Sequence, residues 1–294
     1  MSAILSAANP LSGWAQALAE PRFEIMPVRG GLEAARALPD NATVSSTCSP
    51  AIGLDKSLDF AVDVTRARPD LRVVAHLAAR RVRDRAHLEA ILRRLDKAGI
   101  RDAFVVAGDQ TDSAGAYPGG LALIEAIDAL DANLASIGVP CYPEGHPFID
   151  GAELSEALEA KSYYADYMVS QLCFDAATME GWLRSTRRRG VPLPLYLGIP
   201  GVIARRKLLG IGLRIGIGES LHFLRNNTGL VSGLLAPARY TPGPLLSALE
   251  PLLSEPELGI AGVHINTFNQ VRDTVQWCQS LHREHAPLSF ASHV

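Results

Sequence analysis

RVVAHLAARRVRDRAHLEAILRRLDKAGIRDAFVVAGD (72–109) decides the fold. It opens on an apolar run and continues into a stretch whose Ala86, Leu88, Ile91, Leu92 and Leu95 recur near a 3.6-residue period. Gly99 then supplies a helix stop, and a second apolar run ends in Gly108 and Asp109. Strand, helix, strand is the unit that joins parallel strands. The same rhythm extends outward in both directions. RFEIMPV (22–28) and ATVSSTCS (42–49) precede it; PCYPEG (140–145), YMVSQLCF (167–174), PLYLGIPG (194–201) and GVHINTFN (262–269) follow. Eight such segments separated by helix-like stretches predict an α/β protein, a closed (β/α)8 barrel of parallel strands. In that architecture the C-terminal strand ends carry the active site. The polar residues within or just after these segments are therefore the site candidates: Glu24, Thr47, His76, Asp109, Tyr142, Glu144, Gln171 and Asn266.

The 294 residues suit one barrel domain, with residues 1–20 as an N-terminal helical extension and 202–260 as an enlarged seventh unit. Hydrophobic residues make up 48% and charged ones 20%, enough for a large core. A net charge of −3 argues against a polyanion-binding surface, so no nucleic-acid partner is expected. No run approaches the ~18 apolar residues of a membrane span. The opening MSAILSAANPLSGWAQALAE lacks the basic start and long apolar stretch of a signal peptide. Cys48, Cys141, Cys173 and Cys278 form no CxxC pair and no zinc spacing, so no metal is expected, and a reducing cytoplasm fits.

Ser12 is placed to cap a first helix, WAQALAE, and Pro39 to stop the short helix after the first strand. LALIEAIDALDANLASIG (121–138) reads as one helix ending in glycine, followed by helices over 151–165 and 177–190. The seventh unit contains Gly210, Gly212, Gly216 and Gly218, but helix-like residues precede them and the spacing is wrong for a dinucleotide loop. Helix packing or a substrate loop is the expectation there. The apolar stretch 208–235 offers a face for self-association.

Each candidate has an ordinary structural alternative. Glu24, inside FEIMPV, would be desolvated if it points inward, raising its pKa toward neutrality as a general acid requires; the alternative is an ion pair with a barrel arginine. Asp109 either faces a ligand or caps the next element. His76, alone in an apolar strand, is more often a satisfied core histidine than a ligand. Gln171 must meet a partner, because an unbonded buried amide costs about 1–3 kcal/mol. In YPEGHP (142–147) two prolines stiffen a turn that projects Tyr142, Glu144 and His146. The residues alone describe a barrel enzyme using carboxylates, an amide and a histidine, and name no reaction.

Read in order, these segments resemble the methylenetetrahydrofolate reductase family. FEIMPVR looks like its first strand with the catalytic Glu, VVAHLAA like its "PHL" strand and VVAGD like its "RGD" strand end. CYPEGHP looks like its "YPE-HP" turn, VSQLCFD like "TQ-FFD", LGIPGV like "PGI-PV" and GVHINTFN like "HFYTLN". The resemblance covers about residues 22–280. It implies reduction of 5,10-methylenetetrahydrofolate to 5-methyltetrahydrofolate, or the reverse, with NADH or NADPH as hydride source. Glu24 then matches the acid, Asp109 the carboxylate that balances the pterin cation, and Gln171 the amide that orients folate and hydride donor. Thr47, Glu144, Asn266 and Gln270 are the further folate candidates. His76, Gly108, Tyr117, Tyr142, His146 and Lys161 match cofactor-contacting positions.

There are departures. Ala107 replaces the arginine before Gly-Asp, Gln270 the arginine after "TLN", and Lys161 is the one obvious cation left for a flavin diphosphate. The folate tail must then be held differently. An FAD enzyme with altered contacts competes with a flavin-free enzyme that passes hydride directly from nicotinamide to folate, and the missing cations favour the second. A folate- or pterin-binding barrel without turnover, acting as a partner subunit, is the rival function. A Schiff-base aldolase would want a strand-end lysine, which none of the segments has.

Overall fold

The computed structural model describes residues 13–48, 52–108, 115–215 and 239–285. Eight parallel strands close on themselves: β1 (Arg22–Ile25), β2 (Thr43–Ser46), β3 (Arg72–Ala78), β4 (Asp102–Val106), β5 (Ser136–Cys141), β6 (Tyr167–Ser170), β7 (Leu195–Pro200) and β10 (Ile260–Asn266). The short β8 (Ile203–Ala204) and β9 (Arg239–Tyr240) pair antiparallel beside the barrel. Closure comes from β10, whose His264 and Asn266 stand in register with Arg22 and Glu24 of β1 on one side and with Gly198 and Pro200 of β7 on the other. All eight C-terminal ends therefore open on one face, as the (β/α)8 reading requires.

The helices are α1 (Gly13–Ala17), α2 (Gly31–Arg36), α3 (Leu54–Ala67), α4 (Arg85–Lys97), α5 (Gly120–Asp128), α6 (Gly151–Lys161), α7 (Ala176–Arg188), α8 (Arg205–Ile215), α9 (Gly243–Leu253) and α10 (Val271–His285). Asp84, Asp150 and Asp175 cap α4, α6 and α7 by accepting the N–H of His87, Ala152 and Ala177. Each such cap is worth about 1 kcal/mol. The outward faces of the strands and the inner faces of the helices make the main core, with Phe23, Ile25, Leu77, Val105, Val139, Met168, Leu197 and Ile265 essentially sealed from water.

A second, smaller cluster fills the barrel itself: Val74, Phe104, Tyr167 and Val169, with Val106 and Tyr196 against it. Arg22 is sandwiched there, its guanidinium 4.0 Å from the Tyr167 ring centre and 4.1 Å from that of Tyr196. Desolvated cation–π contacts of this kind are worth about 2 kcal/mol or more. This plug closes the lower part of the barrel and leaves polar side chains the upper part.

One expected boundary is wrong. The helix read over 121–138 ends at Asp128, and Ser136–Cys141 is the fifth strand, so Gly138 lies inside a strand and YPEG is the turn that follows it. Asp131, at φ 47°, sits in the bend where the chain turns from helix to strand. Gly138 is required where it stands, because a Cβ there would lie 2.2 Å from the Tyr167 ring. In the seventh unit Gly210 and Gly212 lie in α8, so the helical reading holds for them. Gly216 and Gly218, most of 208–235, and Ser12 lie outside the described residues. No helix among the described residues is long and apolar enough to cross a membrane.

Candidate active site

The mouth of the barrel collects polar side chains from strands far apart in sequence. Glu24 is the residue of β1 in register with Ser45 of β2 and Asn266 of β10. Its Oε2 accepts from Nε2 of His264 at 3.3 Å, and its side chain keeps 21% of its surface open. Ser45 Oγ and His76 Nε2 are hydrogen bonded at 2.7 Å, and the His76 ring packs on Phe104 at 4.8 Å between centres. The Glu24–His264 and Ser45–His76 pairs thus stand above the aromatic plug, close enough for the Glu24 charge to act on His76.

The electrostatics reverse one expectation. Burial pushes the Glu24 carboxyl up, but the hydrogen bond and charge of His264, helped by His76, outweigh it and hold the group below its ordinary value. Glu24 is therefore ionised at rest, and its partner is a histidine rather than an arginine. His264 was not among the candidates. The signal for it was present in GVHINTFN, where His264 and Asn266 share strand parity, but the neighbour that gives it meaning lies 240 positions away. Its Nδ1 is buried with no hydrogen-bond partner among the described residues, as is Oγ1 of Thr47 one residue past β2. Such orphaned groups in a mouth are places for a ligand to bond.

His76 behaves differently. Burial, only partly relieved by the Glu24 charge and reinforced by His264, lowers it to about 4. It is a neutral imidazole at pH 7. The folded value is depressed, so the unfolded chain takes up a proton first as pH falls through ~6.5, and stability drops between there and the folded value. Urea denaturation is expected to show about 1.4 kcal/mol lost on this account between pH 8 and pH 5.5. His76→Gln is expected to remove that increment; an identical pH dependence in the variant would refute the assignment.

The loop after β10 is clamped onto the end of β1. Thr267 Oγ1 donates to the Glu24 carbonyl at 2.6 Å, and the Asn269 side chain bonds both the N–H and the carbonyl of Met26, at 2.8 and 3.0 Å. Phe268 and Asn269 both take positive φ, 48° and 60°, a costly backbone that these bonds hold in place. Gln270 lies just beyond, its N–H bonded to the Thr267 carbonyl.

Gln171 sits immediately after β6, not inside it. Its N–H donates to the Cys141 carbonyl at 2.8 Å, and its Oε1 accepts the Leu172 N–H at 2.9 Å. On the neighbouring turn, Tyr142 and His146 meet edge to face at 5.3 Å. Glu144 is half-buried behind them, where after burial itself its carboxylate is the chief influence raising the Cys173 thiol. Gly108 lies two residues past β4 at φ 93°, with Arg80 donating to its carbonyl at 3.4 Å. Tyr117 is buried just before α5. Asp109, between these two, lies outside the described residues.

Lys161 ends α6 and lines a crevice of about 180 Å³ between α6 and α7, with Cys141, Leu158, Trp182 and Thr186 on the outer side of β5 and with Tyr142 and Pro143 of the turn that follows it. Burial lowers its pKa, and the Cys141 thiol opposes this weakly. The cation expected to offset a flavin diphosphate therefore faces the helix layer. Lys161 is therefore not placed to offset the two negative charges that such a group carries.

The profile of the family described as Methylenetetrahydrofolate reductase matches residues 40–209, more than half of the chain. Among solved structures, the carboxyl transferase domain of pyruvate carboxylase from Rhizobium etli is 13% identical, with 93% of this chain and 49% of that one aligned at a TM-score of 0.46. A GH18 chitinase from Cycas revoluta is 11% identical over 63% of this chain and 70% of that one, at a TM-score of 0.40.

Proposed function

Because the chain belongs to the methylenetetrahydrofolate reductase family, and so to the folate-linked oxidoreductases, we propose that it interconverts 5,10-methylenetetrahydrofolate and 5-methyltetrahydrofolate, with hydride taken directly from NADH or NADPH. The observation that carries this reading is the Glu24–His264 pair, 3.3 Å apart at the barrel mouth and backed by neutral His76.

Opening the methylene bridge requires a proton at the departing amine nitrogen and leaves an iminium at N5. Glu24 and His264 together hold that proton. In the open mouth the imidazole keeps the carboxylate ionised; a bound pterin excludes water, which favours the neutral carboxylic acid and moves the proton toward Glu24. Hydride then reaches the exocyclic carbon of the iminium, which becomes the methyl group, and the nicotinamide leaves oxidised. Asp109, on the strength of the resemblance, balances the cation; Gln171 and Asn266 orient the pterin, and Thr47 offers its unbonded hydroxyl to it. Members of the family usually hold a flavin, and no step is routed through one here, since Lys161 is turned away. Purified protein is expected to be colourless and to consume NADH or NADPH when given methylenetetrahydrofolate. A tightly bound flavin would refute direct transfer, and no consumption with either nucleotide would refute the reductase reading.

His264 has a separable test. His264→Asn removes the imidazole while keeping a polar side chain, so the inflection assigned to Glu24 in kcat/KM against pH is expected to move upward. Turnover is expected to fall about 10- to 100-fold, below the full value of an acid because Glu24 itself remains. An unshifted profile would show that the pair does not act together.

A further inference from the structure

We infer that Arg205 and Tyr240 form an oxyanion subsite on the catalytic face, built to take a carboxylate or phosphate of the bound substrate or nucleotide. The inference deepens the proposed reaction and rests on it for the identity of the ligand. Arg205 is the first residue of α8, directly after β8, and Tyr240 lies on β9 in register with Ile203. Nε and Nη1 of Arg205 are sealed from water and have no hydrogen-bond partner among the described residues, and the same holds for the Tyr240 hydroxyl. Three donors are thus withdrawn from solvent in one place. Arg205 is close enough for its charge to act on the phenol, which burial otherwise raises.

The place is significant. Tyr240 packs edge to face on Phe174 at 5.8 Å, three residues past Gln171 on the loop from β6. Lys207 Nζ donates to the Phe268 carbonyl at 3.4 Å, in the loop that follows Asn266. The start of α8 is therefore held between the loops that leave β6 and β10, on the same side of the barrel as Glu24. The nearby carboxylate of Asp273 is bonded to Arg239. Among the described residues, none is bonded to Arg205.

Guanidinium nitrogens sealed from water without an anion are costly and persist in folded proteins where a ligand or partner repays them. Its planar fork matches carboxylate and phosphate oxygens two at a time, and a phenol O–H adds a third donor. Two parts of the expected ligands carry that chemistry: the glutamyl carboxylates of folate and the phosphates of the nicotinamide dinucleotide.

The test has two arms. In the first, glutarate and inorganic phosphate are titrated into the intact protein and melting temperature is followed. Wild type is expected to be stabilised by at least one of them, Arg205→Met not at all and Tyr240→Phe less. No shift in wild type, or equal shifts in all three, overturns the subsite whether or not the protein is a reductase. In the second arm, affinities for 5-methyltetrahydrofolate, tail-free 6-methyltetrahydropterin, NADH and NADPH are measured with the same variants. A loss of tenfold or more for methyltetrahydrofolate in Arg205→Met, with the pterin unchanged, assigns the site to the glutamyl tail; a loss confined to the nucleotides assigns it to their phosphates. Arg205→Lys is expected to restore part of whichever affinity falls. Equal loss for every probe, with a lowered melting temperature in Arg205→Met before any addition, shows a structural role and overturns the inference.

Discussion

Glu24→Gln is expected to reduce methylenetetrahydrofolate turnover by about 10²–10⁴-fold while leaving folate affinity close to that of the wild type. The substitution keeps the shape of the side chain and its ability to accept from His264 through the amide oxygen, so the mouth retains its geometry. What it removes is the one carboxyl group at the top of β1 able to carry a proton to the leaving nitrogen. Binding and chemistry therefore separate: equilibrium titration with 5-methyltetrahydrofolate reads the first, and single-turnover reduction the second. A variant that turns over at the wild-type rate would remove Glu24 from the mechanism. One that fails to bind folate would make it a binding residue and no more.

Gly198→Ala is expected to be the most damaging glycine-to-alanine change within the barrel strands, costing about 3 kcal/mol, the top of the usual range for overpacking. Gly198 lies mid-way along β7, in register with His264, and a Cβ there would stand 2.0 Å from the carbonyl oxygen of Ser170 and 3.1 Å from its carbon. Both obstacles are backbone, so neither can turn aside. The Gly198 N–H also bonds Ser170 Oγ at 2.8 Å, which fixes the spacing of β6 and β7 just before Gln171 leaves the sheet. Relief requires the two strands to part, displacing Gln171 and His264 together. Gly151→Ala, at the first position of α6 with open space around it, is the control and is expected to be neutral or slightly stabilising. Equal denaturation midpoints for the two variants would contradict this account of the packing.

The sequence shows the barrel because its information is local and repeated. Each strand is an apolar run, each helix is amphipathic, and glycines such as Gly99 and Gly190 mark the exits at positive φ. The error at the fifth strand has the same origin. Residues 129–135 carry helix-forming alanines and leucines, and only the pairing of Ser136–Cys141 with β4 and β6 shows that the helix is already over. The site was legible one residue at a time, since Glu24, Asn266, Thr47 and Gln171 all stand at strand ends around the mouth. Its electrostatics were not, because the sign of the shift at Glu24 depends on a histidine brought alongside only by barrel closure. The setting of Lys161 was hidden for a related reason. Its position in the chain says that it ends α6, whereas the face it presents is set by how α6 packs on α7. Arg205 carries no local signal of this kind; the structure sets it apart by sealing two of its guanidinium nitrogens with no anion bonded to them among the described residues.

The most direct measurement is the fate of the hydride. Protein incubated with methylenetetrahydrofolate and nicotinamide nucleotide carrying deuterium at both C4 positions is expected to yield 5-methyltetrahydrofolate with one deuterium in its methyl group, read by mass spectrometry. Product without the label, or no product at all, would contradict direct transfer at the mouth where Glu24 and His264 meet.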